Sequence, residues 1–420
     1  MEYRYHEGKA YNLHLLKTKK FKTITVLITF KRKVKKEEIT IRSFIHSILL
    51  LSSKNFPSSR LLSTEAEKLY APSIEATENI VGNYAVTSFY MAMINDKYTE
   101  PGTNNKCMNF FKELLFNPNI ENGGFNKNNF NIIKNEITAK LKSIKDSPRY
   151  YSEVRMLEHL DPTSPVSYRR GYLEDLDKID EVKAYEYYRG MLHSDMVDVF
   201  VLGDIDFDAV RKTVDDMIPI NTIKKQKEGI YVKHKTIRKR AKVVKEEENV
   251  KQAKLVIGCK LNNLSDFEIK YVLPVYNGIL GGPSYSRLFK SVREQNSLAY
   301  YIYSNYRRVN NLLTISSGIN KESFDKTVKL IKTEINNMAK GNFDESDLKR
   351  AQQDIVNIIK NIEDKPYRLI NNYSWQVLYD LDDIETRKKR VFDVTVDDVK
   401  KIGKKVHIDT IYLLHGGDDN

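Results

Sequence analysis

Phe125-Asn126-Lys127 opens a segment that ends Ile144-Lys145-Asp146-Ser147-Pro148-Arg149-Tyr150, and Phe343-Asp344-Glu345 opens one that ends Ile362-Glu363-Asp364-Lys365-Pro366-Tyr367-Arg368. From Phe to Pro, both span 23 residues. Ile137 matches Ile355, Leu141 matches Ile359, Lys142 matches Lys360, Ile144 matches Ile362 and Asp146 matches Asp364, all offset by 218. Apolar spacings of three and four predict, in each copy, an amphipathic helix stopped by proline. Downstream, Ile179-Asp180-Glu181-Val182-Lys183 matches Val396-Asp397-Asp398-Val399-Lys400 at an offset of 217. Next, residues 198–204 resemble residues 409–416, each reading as a buried strand that ends at glycine.

A near-constant offset through three separate features marks an internal duplication, and a repeat of this length sets the fold. Each copy starts with strands, at residues 23–30 and 252–259. The predicted fold class is therefore α+β, with two homologous α/β domains, each a mostly antiparallel sheet packed with helices. The first domain is placed at residues 1–220, a basic linker at 221–250 and the second domain at 251–420.

Composition allows this. At 420 residues the chain exceeds what one core usually organises, and with 41% hydrophobic and 30% charged residues it has the balance of a globular protein. Cys107 and Cys259 stand far apart, giving neither a disulfide framework nor a metal knuckle. No run reaches the 18 apolar residues of a membrane span and no secretory leader is visible, so a cytoplasmic protein without membrane contact is expected. The net charge of +13 is spread among abundant Asn, Tyr and Ile, its densest run falls in the linker, and no nucleic-acid motif accompanies it. No nucleic-acid partner is expected, and the Lys/Asn/Ile usage suggests a bacterial source.

The second copy contains Gly281-Gly282-Pro283-Ser284-Tyr285-Ser286-Arg287-Leu288-Phe289, then Arg293-Glu294 and Leu298-Ala299-Tyr300. This pattern resembles the second domain of the pitrilysin, insulysin and mitochondrial-processing-peptidase family of inverted-motif zinc peptidases, and the resemblance extends over almost the whole chain. The family's first domain carries His-x-x-Glu-His on a helix, where the histidines bind zinc and the Glu is the catalytic base. None of the eight histidines here has another four residues away. Counting back from residues 51–60, the motif positions fall on Ser43, His46 and Ser47, with His46 in place of the catalytic Glu. The family's downstream carboxylate ligand should fall near Lys127, Asn128 and Asn129, where none stands.

The resemblance implies that Arg293 and Tyr300 match the pair that reaches the active centre and donates hydrogen bonds to substrate carbonyls and the tetrahedral oxyanion. It also implies that Gly281 and Gly282 belong to a flexible, substrate-touching loop. No metal or other cofactor is expected on this chain. A zinc-bearing homologous subunit is expected as its partner in a heterodimer, with zinc on that subunit and a peptide as substrate, as in leader removal from ribosomally made peptides. The alternative reading is a peptide-binding or scaffold protein with no part in hydrolysis. A third possibility is a metal site from His407, Asp409 and His415, which alternate along a predicted strand.

Overall fold

The computed structural model describes residues 1–8, 10–219, 229–282 and 284–417. The chain divides into two compact units. Unit 1 holds residues 1–142, 169–228 and 365–374, and unit 2 holds 143–168, 229–364 and 375–420.

In unit 1 the strands are β1 (Glu2–Glu7), β2 (Asn12–Lys17), β3 (Thr23–Lys33), β4 (Ser73–Val81), β5 (Tyr84–Ile94) and β6 (Met196–Gly203). They form one sheet in the order β1-β2-β6-β3-β5-β4. Every neighbouring pair is antiparallel except β2 with β6. In unit 2, β7 (Lys242–Glu247), β8 (Ala253–Lys260), β9 (Ala299–Arg307), β10 (Leu312–Ile319) and β11 (His407–His415) form a sheet in the order β9-β10-β8-β11-β7. Here too a single pair, β7 with β11, is parallel. Read from opposite ends, the two orders coincide strand for strand, with β1 added in unit 1. The duplication read from the sequence is thus present in the strand order as well as in the helices.

The helices include α1 (Ile39–Ile48), α2 (Thr103–Phe116), α3 (Lys127–Lys142), α4 (Pro148–Leu160), α5 (Glu181–Ser194), α6 (Leu273–Gly281), α7 (Phe324–Lys340), α8 (Glu345–Lys360), α9 (Pro366–Tyr379) and α10 (Val396–Lys405). The matched amphipathic helices are α3 and α8, and Pro148 and Pro366 each occupy the first position of the next helix, where a missing N–H costs nothing. In unit 1 the apolar faces of α1, α2, α3 and α5 cover one face of the sheet, around Val26, Ile28, Phe44, Phe111 and Met191. The corresponding core of unit 2 gathers Leu255, Ile257, Tyr276, Ile331 and Ile402.

The helices after the two prolines are exchanged between the sheets. Met156, Leu157 and Leu160 of α4 pack with Val256 and Tyr412 on the second sheet. A Cβ on Gly258 of β8 would lie 2.6 Å from Met156 Sδ and from Leu160 Cδ1, so glycine in mid-strand makes room for this helix. In return, the start of α9 serves the first sheet, where Tyr373 stacks on Tyr3 and the Tyr367 ring lies tilted against Tyr90. Residues 143–168 and 365–374 therefore fall outside the units implied by boundaries at 220 and 251. Of the stretch read as a linker, residues 221–228 lie outside the described residues, and Lys242–Glu247 is the edge strand β7. Its sequence KVVKEE is charged as edge strands are, which is why it reads as a linker.

Candidate functional site

Helix α1 carries the positions that the family resemblance assigns to the zinc motif, Ser43, His46 and Ser47. Its sequence ITIRSFIHSI buries Ile39, Phe44, Ile45 and Ile48, which seats the helix on the sheet. On it, Ser43 is 6% exposed and its Oγ donates to the Thr40 carbonyl at 2.7 Å. The His46 imidazole is pushed down to about 4, first by burial and then by the Lys140 and Arg170 charges. Its Nδ1 is buried without a hydrogen-bond partner, and Ser47 is half-buried beside it.

Arg42 stands between these positions and the sheet. It is fully buried, with Nη2 donating to Asp195 Oδ2 at 2.7 Å and to the Phe30 carbonyl at 2.9 Å. Arg32 Nε lies 2.9 Å from the other Asp195 oxygen. At the expected place of the downstream ligand, Asn129 donates to Ser52 Oγ at 2.6 Å, and Lys127 is 4.0 Å from Glu181 at the surface. These residues do not fit zinc: one hydroxyl is committed to a carbonyl, and the lone imidazole is ringed by cations. Among the described residues, no group of three or more His, Cys, Asp or Glu side chains converges to hold a metal.

The C-terminal candidate resolves differently. Asp409 on β11 is fully buried and ion-paired to Arg238 and to Lys260, the latter at 3.2 Å. His407 is exposed, and His415 Nδ1 is 2.7 Å from the Gly416 carbonyl. Asp409 therefore neutralises the buried Lys260 and the partly exposed Arg238 in unit 2.

In unit 2, residues 278–282 do not form a loop. Gly278 to Gly281 are the last turn of α6, and Gly282 caps it, its N–H donating to the Asn277 carbonyl at 3.0 Å. A Cβ on Gly281 would meet Ser304 N of β9 at 2.8 Å, so this glycine lets the helix approach the strand backbone. Gly281→Ala is expected to lose about 1–3 kcal/mol in chemical unfolding, the ordinary cost of overpacking. Gly282→Ala, where the nearest atom to a new Cβ is 3.3 Å away, is expected to lose far less.

Arg293 lies in a π-helical turn, Phe289–Glu294, where the extra residue per turn rotates side chains off the α-helical register. It is exposed, with its guanidinium 4.8 Å from the Phe289 ring centroid. The chain turns into β9 through Ser297, whose φ is +51°. The pairing with β10 then slips between Ala299 and Tyr301, leaving Tyr300 on a bulge. Bulges re-aim side chains, and Tyr300 is 61% exposed, its hydroxyl donating to Asn320 at a long 3.4 Å. Two irregularities, a π-turn and a bulge, thus present the two donors to solvent.

The Peptidase M16 inactive domain family matches residues 178–355. A curated relative, the probable inactive metalloprotease YmfF of Bacillus subtilis (strain 168), is 29% identical over 407 residues, covering 96% of this chain and 95% of its own. Among solved structures, a conserved protein from Enterococcus faecalis V583 superposes with a TM-score of 0.93 at 26% identity, covering 100% of this chain and 99% of that one. A peptidase M16 inactive domain from Pseudomonas fluorescens has the same fold, with a TM-score of 0.80 at 14% identity and coverage of 100% and 99%. The chain is thus similar over nearly its whole length to a probable inactive metalloprotease, and over residues 178–355 to the Peptidase M16 inactive domain.

In this M16-like chain, sequence reasoning passed over Arg42, Asp195 and Glu78. Arg42 sits one residue before a motif position and carried a signal, since a basic residue inside an apolar helical face needs a buried partner. Glu78 on β4 carried none, because an acid in an alternating strand reads as solvent-facing. Among the described residues, no helix is long and apolar enough to cross a membrane.

Proposed function

We propose that this chain is the substrate-binding, non-catalytic subunit of a two-chain zinc peptidase that cleaves peptides, with zinc on a homologous partner carrying His-x-x-Glu-His. One observation carries the reading: α1 offers no ligand set, while Arg293 and Tyr300 are both held exposed on irregular backbone. A guanidinium and a phenol are permanent donors that can stabilise an oxyanion developing in a neighbouring chain's site. Peptide affinity would come from adding a strand to a free sheet edge, where backbone hydrogen bonds make little demand on sequence. Strand β9, which bears Tyr300, is such an edge. Removal of leaders from ribosomally made peptides in a bacterial cytoplasm is the substrate class and setting that fit this reading.

The test is the double variant Arg293→Ala plus Tyr300→Phe in the mixed pair. Loss of oxyanion donors should lower kcat by about 100-fold or more. The melting temperature should stay unchanged, since both side chains are exposed. Unchanged turnover would remove the clamp role and favour a peptide-binding or scaffold protein.

A further inference from the structure

The face of the second sheet that receives α4 gathers cations at the free edge strand β9. Along β9, Ile302 points into the core of unit 2, and Ser304 points onto Asn277 of α6, where its Oγ donates to Oδ1 at 2.9 Å. Side chains alternate along a strand, so Tyr301, Tyr303 and Arg307 lie on the opposite face. There Tyr301 and Tyr303 stack with ring centroids 6.1 Å apart. The Arg149 guanidinium, from the first turn of α4, lies 5.0 Å from the Tyr301 centroid and 4.6 Å from that of Tyr303. Its Nε donates to the Tyr303 hydroxyl at 3.2 Å.

A second cation reaches the same ring from two strands away. Lys254 on β8 and Tyr301 on β9 are both in register with Gly318 of β10. A Cβ on Gly318 would lie 2.6 Å from the Tyr301 ring and 2.7 Å from Gln252 Oε1, so glycine here leaves room for the ring to lie across β10. Lys254 Nζ is 5.7 Å from the Tyr301 centroid and donates to Gln252.

These partners are rings, a phenol and an amide, none of them charged. The carboxylate acting on Arg149 is Glu153. It is already engaged, its Oε1 accepting from Tyr303 at 2.8 Å and from Ser316 at 3.3 Å, with Oε2 3.5 Å from Arg307. In this set, Arg149, Lys254 and Arg307 are thus three cations against one carboxylate. The Lys254 ammonium is pushed down, first by burial and then by the Arg149 charge. Arg149 itself is exposed.

We propose that the peptide added to β9 is acidic, with Glu or Asp at alternate positions turned toward Tyr301 and Tyr303 so that their carboxylates meet Arg149. Directly opposed residues on neighbouring strands share a face with Cβ atoms about 5 Å apart. A side chain paired with Tyr301 or Tyr303 therefore stands beside the guanidinium that lies over those rings. A carboxylate there makes a charge-assisted hydrogen bond to Arg149 and offsets its repulsion with Lys254. This inference rests on strand addition at β9 and is independent of the zinc-bearing partner.

Fluorescence anisotropy of labelled peptides with the full chain tests it. A peptide in which Glu alternates with Thr should bind, and the same peptide with Gln for Glu should bind about fivefold more weakly at low salt, the scale of a well-formed exposed ion pair. Added salt should narrow that difference. Arg149→Gln should lose most of the preference for Glu without weakening the Gln peptide, and Arg149→Lys should keep it. N-methylation of alternate backbone amides should abolish binding of the Glu peptide, because the strand then cannot pair with β9. Equal affinity for the Glu and Gln peptides, or a preference for Glu that survives Arg149→Gln, would overturn the acidic selection while leaving strand addition standing. Absence of binding by any of the peptides, or a Glu peptide indifferent to N-methylation, would overturn both.

Discussion

Replacing Asp195 by Ala lowers the stability of the chain by about 3–5 kcal/mol, the usual penalty for stripping the partner from a buried ion. For a unit of this size, that amounts to a fall in melting temperature of the order of 10 °C. The reason lies in Arg42. Its side chain is 1% exposed and that of Asp195 is 0%, with 2.7 Å between them. Burial raises the Asp195 carboxyl even against the Arg42 and Arg32 charges, so desolvation is the larger influence on this group. With Asp195 gone, the Arg42 guanidinium keeps the Phe30 carbonyl and the Tyr187 hydroxyl but loses its counter-charge. Arg32 loses less, because Glu38 remains at 2.8 Å and water reaches it. Differential scanning calorimetry decides the matter. The double variant Arg42→Met plus Asp195→Leu should be milder than Asp195→Ala, since removing both charges leaves no buried ion. If the single variant melts within a degree or two of wild type, α1 is not anchored through this pair.

That anchoring bears on what α1 has become. A zinc helix must present its ligands toward substrate, whereas here the residue beside the first motif position is bound into the interior. Ser43 is turned onto its own helix, and His46 is held neutral by burial and neighbouring cations. The helix persists as part of the core of unit 1.

The sequence made the repeat readable because prolines and apolar residues fall at matching intervals, and helices follow such intervals closely. Pairing of α3 with α8, and the strand that closes each copy, came out where the spacing placed them. The exchange of α4 and α9 did not, because an amphipathic helix states that it has a buried face without stating which sheet receives it. Gly258 held the missing signal: a glycine among Leu255, Val256, Ile257 and Cys259 in a central strand calls for something pressing on the strand from outside. The basic stretch hid β7 because edge strands are charged for the same reason that linkers are solvated. At the site, the motif positions and the Arg/Tyr pair could be named only through the family resemblance. The backbone that presents them could not, since a π-turn and a bulge arise from packing and register that no local pattern encodes. Glu78 was invisible on the same grounds, since α1, which packs on its strand, comes from another part of the chain.

The proposed partner is tested directly by reconstitution. The chain is mixed with a homologous chain of similar length that carries His-x-x-Glu-His, and cleavage of a peptide substrate is followed with each chain alone and with both. The account predicts negligible turnover from this chain alone, weak or no turnover from the zinc-bearing chain alone, and a gain of about 100-fold or more on mixing, the scale set by supplying oxyanion donors in trans. Full activity of the zinc-bearing chain without this one would contradict it.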